Sequence, residues 1–125
     1  MGDRDLKIRT KQFAHECVKI SLQFPKTKLG LHLQGQLIRC STSVAANYRA
    51  ACIAQTKKGF ISKLSIVIEE VDESNFWLVF AKDENILPNS DSLKALIQES
   101  QELTGIFISS RNTAQKNDET QLINH

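Results

Sequence analysis

Residues 60–81 read FISKLSIVIEEVDESNFWLVFA, and the spacing of their apolar side chains decides the fold. Phe60, Leu64, Val67, Val71, Ser74, Leu78 and Ala81 recur at alternating steps of four and three. That is a heptad seam held over three repeats, the pattern of a helix packed along a neighbouring helix. A strand would alternate every second residue, and no useful length of that pattern occurs. The spacing predicts a helix from about Lys57 to Asp83. A second set, Ile61, Ile68, Phe76 and Phe80, lies off the seam, and Trp77 sits on a further flank.

The same reading extends in both directions. Upstream, Leu33, Leu37, Cys40, Val44, Tyr48 and Ala51 make one stripe of a helix starting near Thr27 or Leu29 and ending near Ile53. Leu31, Ile38, Ala45 and Cys52 make a second stripe, so this helix is expected to have more than one neighbour. Gly30 and Gly35 weaken its early turns by roughly 1 kcal/mol each relative to alanine. Before it, Leu6, Phe13, Cys17, Ile20 and Phe24 mark a helix over about 5–24, with Asp3 and Asp5 as expected caps and Pro25 as its stop. Downstream, Leu93, Leu96, Ile97, Ser100, Leu103, Thr104 and Phe107 form a fourth stripe, opened by Asn89, Ser90 or Asp91. Four long helices with short links predict an all-α, antiparallel up-down-up-down four-helix bundle over residues 1–110. The polar residues 111–125 are expected to form a disordered C-terminal tail.

The totals suit this reading. At 125 residues the chain is one domain, and its two prolines and five glycines are few enough to permit long helices. There is no apolar run long enough to span a membrane and no secretory signal in the charged N-terminus, so the expected location is cytoplasmic. Cys17, Cys40 and Cys52 are odd in number and sit among apolar or small residues, and so read as free thiols. Charge divides along the chain. Residues 1–63 hold 12 Lys/Arg against 3 Asp/Glu, and residues 64–125 hold 4 against 11. The two halves should therefore attract when packed, and the basic half can also attract nucleic acid.

The stretch QLIRCSTSVAANYRAA, residues 36–51, places polar groups within a helix otherwise made of small and apolar residues. In an antiparallel hairpin turning near residue 55, Arg39 lies 16 positions before the turn, and Glu70 and Glu73 lie 15 and 18 positions after it. Arg39 is thus expected to be a partly buried cation clasped by Glu70 and Glu73, a geometry the guanidinium fork suits. Such a clasp is better at fixing register than at adding stability. Asn47 is expected to hydrogen-bond across to another helix, the alternative being that the polar groups of this stretch bond back to their own helix. Arg49 has only Ser62 and Lys63 at matching height and should face solvent or another subunit.

These residues resemble a bacterial four-helix bundle family named for open reading frames in intervening sequences of large-subunit ribosomal RNA genes. The likeness rests on Arg39, Ser43, Asn47, Tyr48 and Arg49. It continues through Phe60–Leu64 and ends on Glu70, Glu73, Trp77 and Leu78, spanning about residues 10–107. Many members carry Glu-Gly where this chain has Arg49-Ala50. The resemblance implies a four-helix protomer, a homopentameric ring and no established enzyme activity. It also implies distant kinship with the accessory variability protein of diversity-generating retroelements, which binds a reverse transcriptase and nucleic acid.

Three functions follow as expectations. The first is a non-catalytic oligomeric scaffold or adaptor that binds structured RNA or a nucleic-acid-associated protein. Its nucleic-acid contacts would be Lys7, Arg9, Lys11, Lys19, Lys26, Lys28, Lys57 and Lys58, and its oligomer interface Ile68, Phe76, Trp77 and Phe80, since aromatics are enriched at interfaces. The second is an enzyme using Arg39, Glu70 and Glu73, which requires an open pocket and a carboxylate of raised pKa. The third is a protein-only interaction module. No cofactor or metal is expected. Glu70-x-x-Glu73 is half of a di-iron pattern, but His15, His32 and His125 supply no matching half, and neither a zinc-binding Cys pair nor a glycine-rich phosphate loop occurs.

Overall fold

The computed structural model describes residues 2–123. Four helices follow one another: α1 Asp3–Ser21, α2 Lys28–Cys52, α3 Lys57–Asp83 and α4 Asp91–Ile123. Successive helices pack side by side, and α4 returns to close on α1. Each neighbouring pair runs antiparallel. Ser65 and Asn75 on α3 reach Arg111 and Ser100 on α4 in reverse order.

The stripes read from the sequence form the core. On α3, Leu64, Val67, Val71, Ser74, Leu78 and Ala81 are all buried. They meet Leu33, Leu37, Cys40 and Val44 of α2, Phe13, Cys17 and Ile20 of α1, and Leu93, Leu103 and Phe107 of α4. Burial of each large side chain contributes on the order of 1.5–3 kcal/mol. Tyr48 and Phe107 meet across the bundle diagonal with ring centroids 5.2 Å apart. As expected, α2 has two neighbours, α1 and α3; its second stripe is only partly covered, Cys52 leaning on the core while Leu31 is 51 % exposed.

Helix ends have local causes. Thr27 caps α2 by accepting from the Gly30 N–H, and Thr56 caps α3 by accepting from the Gly59 N–H. Ser90 caps α4 through the Leu93 N–H. The N-cap position of α1 is held by Gly2, which gives no side-chain bond, and the expected caps Asp3 and Asp5 stand inside the helix. At the end of α3, Asn85 takes a positive φ of 55°. The Ile86 N–H then bonds to Ala81 O and the Asn85 N–H to Lys82 O, which satisfies two last-turn carbonyls. Gly30 sits so close to the preceding turn that a Cβ there would lie 1.9 Å from Pro25 O.

The expected tail beyond residue 110 is helical through Ile123. Neither Gly nor Pro interrupts residues 106–123, and Ala114 is buried, so the backbone has a reason to continue.

Candidate functional site

The polar residues of α2 form two groups. Arg39 reaches across to α3 as expected. Its Nη1 lies 3.4 Å from Glu70 Oε2, and its Nη2 donates to Glu73 Oε2. The clasp, however, lies on the surface and not in the core: the Arg39 side chain is 52 % exposed, against 16 % for Glu70 and 33 % for Glu73. Hairpin register sets the height of a residue but not its depth. Arg39 falls at the rim of the α2–α3 seam, where a long side chain can lay its stem down and keep its head wet.

Ser43 and Asn47 stand apart from this clasp. The Asn47 amide donates to Ser43 O at 2.9 Å and to Ser43 Oγ at 2.8 Å, one turn back on its own helix. The expected bond to another helix is not made, because the i−4 groups are within reach without ordering a neighbour. Ser41, one step round, is fully buried. The polar groups at the centre of the bundle are smaller: Ser74 Oγ lies 2.8 Å from Glu70 O and 3.2 Å from Cys40 Sγ, its single hydrogen shared between the two acceptors. Burial pushes the Cys40 thiol up to about 11, and it raises the Cys17 thiol still further. All three cysteines are free, and Cys52 is half-buried.

The clasp continues into an aromatic strip. Trp77 Nε1 donates at 3.0 Å to Glu73 Oε2, the oxygen that also accepts from Arg39. The Trp77 ring stands edge-on to His32 of α2 at 5.5 Å and to Phe76 at 4.9 Å. Phe80 lies 5.9 Å beyond Phe76. Phe76 is 54 % exposed, while Trp77 and Phe80 are half-buried. Ile68, also expected on this surface, lies two turns earlier; like Trp77 and Phe80 it is partly buried against the core, and it shares the side of α3 that carries Asn75, which reaches Ser100 of α4. His32 belongs to the strip and was legible only as a failed metal ligand; its height in the hairpin matches that of Trp77.

The indole N–H, with the Arg39 guanidinium, holds the Glu73 carboxyl below the usual range against the opposing effect of burial. A carboxylate so engaged is a weak proton acceptor near neutrality. Ser43 Oγ receives an amide N–H, which cannot take its proton as a general base would. Among the described residues, no three His, Cys, Asp or Glu converge as a metal site requires, and no helix is long and apolar enough to cross a membrane. His125 lies outside the described residues.

The eight expected nucleic-acid contacts do not share one surface. Arg9 is bound to Glu99 through two hydrogen bonds of 2.7 and 2.8 Å, with Glu102 at 3.4 Å. Lys19 pairs with Glu16 at 3.3 Å. Lys26 and Lys28 lie at the α1–α2 turn and Lys57 and Lys58 at the α2–α3 turn. These are opposite ends of α2, about 37 Å apart at 1.5 Å per residue. Lys7 and Lys11 meet Arg49 across a groove of about 590 Å³ between α1 and α2, with Ala45, Ala46 and Ile53 completing its wall. Both cross-helix ion clusters, Arg9 with Glu99 and Arg39 with Glu73, join the basic half of the chain to the acidic half.

The described residues form an all-helical four-helix bundle protomer. The chain belongs to the 23S rRNA-intervening sequence protein family, whose model matches residues 4–109. It is similar to a crystal structure of a protein of unknown function from the S23 ribosomal protein family of Bacteroides thetaiotaomicron. That chain is 26 % identical, with a TM-score of 0.80 over 90 % of this chain and 99 % of the other. No curated protein matches the chain.

Proposed function

We propose that the protein is a non-catalytic cytoplasmic scaffold that assembles with copies of itself. The observation that carries this is Phe76, more than half exposed within a strip that also holds Trp77 and Phe80. A contiguous aromatic surface in water favours coverage by protein, and large aromatics are enriched where subunits meet. The resemblance to ring-forming bundles sets the expected number at five. Sedimentation equilibrium tests this directly: a mass of about five protomers supports it, and a monomer at all concentrations overturns it.

A second reading adds RNA contact. Lys26 and Lys28 at one turn, and Lys57 and Lys58 at the other, form no ion pair among the described residues. In a ring, these turns recur around each rim and present repeated cations to a phosphate backbone. Filter binding to structured RNA over a salt series would show affinity falling steeply with salt; binding that ignores salt rules out phosphate contact. Against an enzyme built on Arg39, Glu70 and Glu73 stands the lowered pKa of Glu73, and Glu70→Gln is expected to alter melting only.

A further inference from the structure

Two surfaces of the protomer complement one another in charge, and they lie on different faces. The first is the groove between α1 and α2. Lys7, Lys11 and Arg49 surround it, with Ala45 and Ala46 between them and Ile53, 73 % exposed, at its end. None of the three cations forms an ion pair among the described residues. The alanines keep the wall low, so another backbone can come close.

The second surface is the outer ridge of α3, on the side away from the core. Phe76, Val79 and Phe80 line a shallow hollow of about 240 Å³ there, with Asp72 at one end and Asp83 at the other. Neither aspartate forms an ion pair among the described residues. Glu69, also exposed, extends the acidic side by a turn. The ridge is therefore apolar along its middle and anionic along its length. The groove is apolar and small along its middle and cationic at its edges.

We propose that the α3 ridge of one copy seats in the α1–α2 groove of the next. This rests on the self-assembly reading above and specifies which surfaces meet. Because the two patches lie on different faces of the protomer, one two-fold contact cannot engage both at once. The contact is heterologous, so each subunit uses its groove once and its ridge once, and repetition closes a ring or extends a filament. Burying Phe76 and Phe80 supplies the apolar part of the contact. Pairing the aspartates with Lys7, Lys11 and Arg49 sets the register and the choice of partner.

Charge reversal with rescue tests this. A groove variant carries Lys11→Glu and Arg49→Glu; a ridge variant carries Asp72→Lys and Asp83→Lys. Each is expected to stay helical by circular dichroism and to lose assembly in sedimentation velocity, its dissociation constant rising at least about tenfold. All four changes in one chain should restore assembly; a mixture of the two variants should associate by alternation into even-numbered or open species, because alternation cannot close a five-membered ring. The neutral pair Lys11→Gln and Asp72→Asn gives a weaker loss and guards against unfolding of the reversed chains. A wild-type oligomer that neither reversal disturbs, or a four-fold variant that does not recover, overturns the pairing and leaves self-assembly standing. A monomeric wild type overturns both.

Discussion

Trp77 and Glu73 are joined by a 3.0 Å hydrogen bond from the indole N–H to Oε2, and that same oxygen receives Arg39 from the facing helix. One carboxylate oxygen thus ties a ring of α3 to a cation of α2. Glu73→Gln weakens both bonds while keeping the shape. We expect a loss of no more than about 1 kcal/mol, because the ion pair is largely exposed, together with a shift in Trp77 fluorescence. Unchanged emission would show that the indole N–H is satisfied by water instead.

The same pair sets a pH dependence. The folded Glu73 carboxyl has a lowered pKa, chiefly through the Trp77 bond and also through Arg39. Its contribution is therefore present above the ordinary glutamate value and is lost as pH falls through the lower folded value. Melting temperatures of wild type and Glu73→Gln should differ at pH 7 and converge in strongly acidic buffer. A gap that persists at low pH contradicts the assignment.

Gly30 and Gly35 lie on one helix and should respond oppositely to alanine. At Gly30 the added Cβ would meet Pro25 O at 1.9 Å, a backbone atom that cannot swing away. Gly30→Ala should cost at least about 1–3 kcal/mol, the range for forced overpacking. At Gly35 nothing lies within 4 Å, so Gly35→Ala should stabilise by about 0.4–1 kcal/mol. Chemical denaturation of the two variants decides; equal effects would mean that the α1–α2 turn relaxes freely.

The three thiols should react unequally. Cys17 and Cys40 are fully buried, with pKa values raised by that burial, whereas Cys52 is half-buried. Only the thiolate reacts, so a thiol reagent at pH 8 should label Cys52 first in the native protein and all three in denaturant. Rapid native labelling of Cys40 would show that the α2–α3 seam opens easily.

Arg9 links α1 to α4, the neighbouring pair with the sparsest packing. Its fork grips Glu99 with both parties about a quarter exposed. Arg9→Ala should destabilise by about 1–3 kcal/mol, as for hydrogen bonds to charged groups. Amide exchange should quicken first in α1. Uniform quickening over all four helices would instead place Arg9 in the globally cooperative unit.

The helices and their buried stripes were readable because periodicity reports burial directly: Leu64 to Ala81 and Leu33 to Ala51 needed no knowledge of their neighbours. The Arg39–Glu73 clasp was readable because one turn near residue 55 fixes heights on two helices. Its exposure was not, since a side chain at a seam can lean either way. Asn47 chose Ser43 on its own helix over a partner across the bundle, a local competition that spacing does not resolve. The Arg9–Glu99 fork depends on closure between the first and last helices, which no single turn determines. The helical stretch after Arg111 is not legible from polarity, which suits a solvated helix as well as a frayed tail; the absence of Gly and Pro through Ile123 is the signal that favours the helix.

The ion pairs that cross between the two chain halves impose an order on synthesis. The first hairpin leaves the ribosome as a polycation, with Arg39 lacking its acceptors until α3 follows and Arg9 waiting longer still for α4. Neutralisation thus accompanies completion of the chain, and a truncated product ending after α2 would keep its unscreened positive charge and adhere to any polyanion nearby.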